Sequence, residues 1–163
     1  EVAARCRRLR DHGRQNKDIH VEIGFNLRFN DIQAAVGRVL LRRLDAMNDH
    51  RRKLAARYNA ALAGLPLALP AETPGARHVY HLYVVRTPQR DALAAFLKDK
   101  GIATGIHYPV PCHRQPAVEY LKPGPLEHTE RLVKEILSLP ISAGHTESEI
   151  DEVAAAVRGF FTK

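Results

Sequence analysis

The chain has 163 residues, enough for one ordinary domain with a proper core and part of a second. Its hydrophobic content of 45% and charged content of 26% are globular values and exclude a disordered tail. The 25 Lys and Arg against 18 Asp and Glu give +7, a balance that favours anionic partners, whether nucleic acid or a phosphorylated small molecule. No tryptophan, five phenylalanines and no recognition motif argue against nucleic acid. No apolar run is long enough to span a membrane, and the opening EVAARCRRLR has no secretory pattern. Cys6 and Cys112, far apart, fit free thiols in a reducing cytoplasm, with buried or incidental thiols as the default. Glu1 is not a start methionine, and Val2 to Leu9 reads as the middle of a helix, so the chain is expected to begin partway through a longer protein.

In chain order, residues 1–13 read as the end of a helix, with Val2, Ala3, Cys6 and Leu9 at helical spacing and Gly13 as the stop. Residues 14–29 form a connection, extended near Val21 to Phe25. Residues 30–63 are the stretch on which the rest is organised. Asn30 and Gln33 form a reciprocal capping pair, and Ile32, Val36, Val39, Leu40, Leu44, Met47, Leu54, Tyr58 and Leu62 recur at three- and four-residue steps. One long connecting helix is predicted there, well beyond the roughly 10 to 14 residues of an average helix, with its arginines as a mostly solvated face.

Residues 65–69 suggest a short strand. HVYHLYVVR, residues 78–86, is predicted as a central strand covered on both faces, rich in β-branched and aromatic side chains. Thr87 and Pro88 are read as the cap and first turn of a helix that ends at Gly101. Residues 102–108 return as a strand, and Pro109, Pro111 and Pro116 keep the next loop non-helical. Helices are predicted at 127–137 and 147–161, the latter announced by Thr146 with Glu149 three residues on. The fold class is α/β, a small sheet packed with helices. His78 and His81 would lie on opposite faces of a strand, with no partner at metal-ligand spacing, so no metal is expected.

Five blocks, RRLRDHG, GFNLRFNDIQAA, HVYHLYVVR, GIATGIHYPVPCHRQPA and EILSLPI, resemble the DegT/StrS family of nucleotide-sugar aminotransferases, in that family's order across residues 8–150. The resemblance implies a fold-type-I enzyme dependent on pyridoxal phosphate, moving an amino group from an amino acid to a keto sugar linked to a nucleotide. This chain would be its C-terminal portion: residues 1–29 the end of the large cofactor-binding domain, 30–63 the connecting helix, and 64–163 the small α/β domain. The family's Schiff-base lysine precedes a Gly-Asp-Gly-Gly stretch upstream of the LRDHG block. The seven lysines here, from Lys17 to Lys163, lie outside that context, so the chain alone is expected to be inactive and no catalytic residue is assigned to it.

The family pattern makes Asn26 a donor to the cofactor phosphate of a neighbouring subunit, which implies a homodimer. The bland alternative is an asparagine that satisfies its own turn. Arg28 either adds charge at that site or pairs with an interface carboxylate. His107 and Tyr108, where a strand meets the proline-rich loop, border the sugar-nucleotide pocket by the same resemblance, with His113 a weaker candidate. Cys112, Val118 and Glu127-His128-Thr129 depart from the commoner family pattern and leave the substrate open. A dehydratase of the same family, a basic binding or regulatory module, and a structural dimer through the long helix stand as alternatives.

Overall fold

The computed structural model describes residues 1–162. The chain divides into two compact units, Glu1–Leu44 and a second beginning at Asp45.

In the first unit, α1 (Val2–Leu9) is followed by a tight turn in which the Gly13 amide donates to the Arg8 carbonyl at 2.8 Å. The strand-like segment around Asn26 lies alongside this turn. The amides of Phe25 and Leu27 donate to the carbonyls of Leu9 and Arg10, the His12 amide donates to Phe25, and Asp11 and Asn26 form an antiparallel bridge. Gly13 is more than a helix stop. A Cβ there would meet the Glu22 carbonyl oxygen at 1.7 Å, and one on Gly24 would meet the Gly13 nitrogen at 2.0 Å, so both positions must be glycine for the backbones to touch. Glu22 accepts from Arg5 and Arg8, and Asp11 pairs with Arg14 and Arg28. Much of the N-terminal basic cluster is therefore paired within the unit.

The predicted single helix over 30–63 is two helices, α2 (Asp31–Leu41) and α3 (Leu44–Leu62). The Asn30–Gln33 capping box is formed as expected. The interruption is not at Gly37, which lies within α2, but at Arg42–Arg43, where the Arg43 amide bonds the Leu40 carbonyl three residues back instead of four. Burial changes at the same place: α2 buries no residue, whereas α3 buries Leu54, Ala55, Tyr58 and Leu62.

The second unit is an α/β layer. Strand β1 (Tyr83–Arg86) pairs antiparallel with β2 (Ile136–Leu139), Tyr83 opposite Leu139 and Arg86 opposite Ile136. Ala68 bridges to Arg86 on one side and Gly105 to Ser138 on the other, which is all that remains of the strands predicted at 65–69 and 102–108. Helix α4 (Arg90–Asp99) packs against β2 and against α6 (Glu147–Phe161). The core joins Leu54, Tyr58 and Leu62 of α3 with Tyr83 and Val85, Leu93 and Leu97, Leu137 and Leu139, and Ile150 and Val157. Tyr58 donates to the Pro140 carbonyl at 2.9 Å and packs against Tyr83 with the rings tilted by 34° and their centres 4.7 Å apart. Burial raises the phenol pKa of both tyrosines. Arg57, itself exposed on the mostly solvated face, spans from α3 to Glu147 and Asp151 of α6.

Three further expectations are corrected. The strand over 78–86 shrinks to its last four residues, with Tyr83 and Val85 buried and Arg86 exposed, because the chain ahead of it turns. Tyr80 has φ of 47°, and its amide donates to the His78 ring, whose own amide bonds Glu72. The helix over 127–137 stops as α5 (Glu127–Glu135), since pairing with β1 and burial of Leu137 claim residues 136–139 for the sheet. Helix α4 starts at Arg90 rather than at Thr87, whose hydroxyl instead accepts from the Gln89 amide. Helix α6 has the predicted bounds and the Thr146–Glu149 capping box.

Leu93, fully buried between α4 and the rest of the core, gives a direct test of this packing. Leu93→Ala should lower unfolding stability by about 2–5 kcal/mol in denaturant titration, the usual cost of such a cavity.

Candidate functional site

The predicted site residues fall in both units: Asn26 and Arg28 in the first, His107, Tyr108 and His113 in the second. Within the first unit, the Asp11 bridge and the Gly13–Gly24 contact fix the backbone at Asn26. The Arg28 Nε donates to the Asn26 Oδ1 at 3.3 Å, and Arg28 also reaches the Asp11 carboxylate at 3.0 Å. An arginine nitrogen can only donate, so the asparagine atom facing it is the oxygen and the NH2 group points the other way. Among the described residues that NH2 has no partner, and Asn26 is exposed. The pair therefore offers outward N–H donors beside a guanidinium, a donor set suited to a phosphate oxygen. Asp11, shared by Arg14 and Arg28, has its pKa lowered, chiefly by the Arg14 hydrogen bond. It stays ionised and keeps Arg28 in place.

Apolar residues crowd the same segment. Ile19, Val21, Ile23, Phe25, Leu27 and Phe29 alternate with polar ones, and all six are more than half exposed. Ile32, Val36 and Val39 of α2 are exposed as well. Exposed apolar side chains gathered in this way are the kind of surface that contact sites use.

In the second unit His107 is set by β2, its Nδ1 lying 2.9 Å from the Ser138 hydroxyl, and Tyr108 is 73% exposed with its ring edge-on to His107. The following loop is not free of helix, as its prolines suggested. It forms two short 3-10 turns, Cys112–Arg114 and Pro116–Leu121. His113 is drawn away from the surface, with 8% of its side chain exposed, and donates through Nε2 to Glu130 of α5 at 3.0 Å. The same Glu130 oxygen accepts from Arg114 at 2.8 Å and from the Leu126 amide at 3.2 Å. His113 thus ties the loop to α5, beside a cavity of about 500 Å3 bordered by Arg114, Gln115, Glu119 and Lys122. Sequence reasoning missed Glu130, Ser138 and Asp11, the residues that hold the candidates; none stands in a pattern that singles it out. Cys6 and Cys112 are free and exposed rather than buried. No group of potential metal ligands assembles among the described residues, and no described helix is long and apolar enough to cross a membrane.

The model of the DegT/DnrJ/EryC1/StrS aminotransferase family matches residues 1–158. The chain belongs to this family. It is 42% identical over 161 residues to the dTDP-3-amino-3,4,6-trideoxy-alpha-D-glucose transaminase of Streptomyces venezuelae, with 97% of this chain and 42% of the relative covered. It is 40% identical over 166 residues to a pleiotropic regulatory protein of Geobacillus stearothermophilus, covering 99% and 45%. Among solved structures, S. venezuelae DesV in complex with a ketimine intermediate matches with a TM-score of 0.91 at 40% identity, over 99% of this chain and 44% of that one. NtdA of Bacillus subtilis, with the cofactor PMP bound, matches at 0.86 and 29% identity, over 100% and 40%. The chain spans less than half the length of these relatives.

The tether at Glu130 has a testable pH signature. Its hydrogen bonds, from His113 first and then Arg114, lower the carboxyl pKa from 4.5 to about 2. A depressed folded-state pKa means the tether is complete above the ordinary value and is lost as pH falls toward about 2. The Leu126 amide resonance should titrate near the lower value. Glu130→Gln should speed tryptic cleavage after Arg114 several-fold at neutral pH; an unchanged rate would mean the loop is held by other contacts.

Proposed function

We propose that this chain is the C-terminal part of a pyridoxal-phosphate-dependent aminotransferase that moves an amino group from an amino acid to a keto sugar linked to a nucleotide. The family match over nearly the whole chain, together with transaminase relatives, carries this reading. In it, residues 1–29 end the large domain, 30–63 connect, and 64–163 form the small domain. Pyridoxal phosphate, when bound, supplies the electron sink that lets an amino group leave one carbon skeleton and join another. What this chain adds is binding and orientation.

Asn26 and Arg28 hold the phosphate through the outward amide and the guanidinium, and the carboxylate of Asp11 keeps the arginine in place. His107 and Tyr108 face the nucleotide sugar. His113 belongs to the support of that side through Glu130. None of the lysines has the sequence context of the family's cofactor lysine, so the 163-residue chain alone transfers no amino group. The alternating apolar face of residues 19–29 and the exposed face of α2 favour assembly with further protein, and a homodimer in which Asn26 serves the neighbour's cofactor accords with it. Free, exposed cysteines accord with a reducing cytoplasm.

Asn26→Ala in the full-length enzyme should weaken cofactor retention about tenfold or more, the usual effect of losing a hydrogen bond to a charged group, with circular dichroism unchanged. Equal cofactor affinity in wild type and variant would take Asn26 out of the site. A cofactor absorbance band in the full-length protein and none in the 163-residue chain would accord with a cofactor site completed outside this chain. No band in either would sink the aminotransferase reading.

A further inference from the structure

Ser138 makes three contacts with one short stretch of chain. Its amide donates to the Gly105 carbonyl at 2.7 Å, its carbonyl accepts from the Gly105 amide at 3.1 Å, and its hydroxyl lies 2.9 Å from Nδ1 of His107. The imidazole is thereby laid over Gly105. A Cβ at that glycine would stand 2.6 Å from Cε1 of the ring, 3.3 Å from Nδ1 and 3.4 Å from Nε2, so the ring occupies the space a side chain would need. Tyr108 adds an edge-on contact, ring centres 5.5 Å apart.

The hydrogen-bond inventory decides which way the proton runs. Ser138 is 5% exposed, and among the described residues its hydroxyl has no partner except His107. Were Nδ1 the donor, the buried hydroxyl proton would be left without an acceptor, which is costly, whereas an unused lone pair on oxygen is less so. The hydroxyl therefore donates and Nδ1 accepts. A neutral imidazole with an accepting Nδ1 carries its proton on Nε2. Nε2 has no partner among the described residues, and His107 is exposed.

We propose that Ser138, with Gly105, is a positioning residue that fixes the tautomer and direction of His107, so that its Nε2–H is presented as a hydrogen-bond donor to an acceptor oxygen of the nucleotide sugar. The substrate half of this statement rests on the aminotransferase reading above. The tautomer half does not. His107 so held selects for an oxygen acceptor and against a donor such as an amino group at the same place. It also takes no part in moving protons to or from the reacting carbon while its Nδ1 is engaged.

Long-range proton–nitrogen NMR correlations of the histidine rings, assigned with His107→Gln and recorded at about pH 8.5, above the ordinary imidazole range, report the tautomer directly. Wild-type protein should show His107 with the proton on Nε2 alone. Ser138→Ala should give the averaged pattern of a free imidazole, and Ser138→Thr, which restores the hydroxyl, should recover the single tautomer. Gly105→Ala should produce the same loss with the serine in place, because its Cβ displaces the ring. A proton on Nδ1 in the wild type, or a pattern unchanged by Ser138→Ala and Gly105→Ala, would overturn the assignment. With the full-length enzyme, Ser138→Ala should raise KM for the nucleotide sugar about five- to tenfold, the worth of one neutral hydrogen bond, with kcat little altered. A single-tautomer result with no effect on KM would leave Ser138 positioning a ring that the substrate does not touch, and would count against the donor role. The NMR result requires no turnover, so it stands apart from the fate of the aminotransferase reading.

Discussion

The antiparallel pairing of Tyr83–Arg86 with Ile136–Leu139 is the constraint on which the second unit depends. It ends α5 at Glu135 and brings Leu137 and Leu139 into the core. It also presents Ser138 to Gly105 on the edge away from β1, and so decides where His107 stands. A strand only four residues long has little stability of its own. It persists because α3, α4 and α6 close over its buried positions, with Tyr58 packed against Tyr83 and bonded to Pro140. Packing, the ladder and the placement of a candidate binding group are thus one arrangement.

Charge plays a different part from the one that the net balance suggests. Arg5 and Arg8 meet Glu22, Arg14 and Arg28 meet Asp11, Arg52 meets Glu72, Arg57 meets two carboxylates of α6, and Arg114 meets Glu130. Exposed pairs of this kind contribute little stability each. Their use here is directional: they hold a turn, a helix pair or a loop at one setting. At Asn26 the direction is chemical as well, since the guanidinium of Arg28 determines which end of the amide looks outward.

Local signals were legible where they carried their own hydrogen-bond logic. The Asn30–Gln33 and Thr146–Glu149 boxes, the stop at Gly101 and the bounds of α6 follow from short-range chemistry, and the structure has them. The break at Arg42–Arg43 was not legible, because no proline or glycine marks it. Nor was β2, whose residues continue the apolar pattern of α5 and become a strand only because a partner strand lies some fifty residues upstream, at a distance that periodicity does not see. The candidate residues emerged from the blocks that resemble the family. Their supports, Asp11, Glu130 and Ser138, did not, since each acts through a neighbour far away in sequence.

Gly13 and Gly24 touch backbone to backbone, with no side chain between them to absorb movement. Side-chain layers ordinarily act as a cushion that lets one element shift while its neighbour stays. Here the cushion is absent, and the Phe25 and Leu27 amides are bonded directly to the end of α1 and the residue after it. Helix α1 and the Asn26 segment are therefore coupled backbone to backbone. Whatever tilts the arginine-rich helix is passed to the outward amide of Asn26, giving a remote surface mechanical authority over that group.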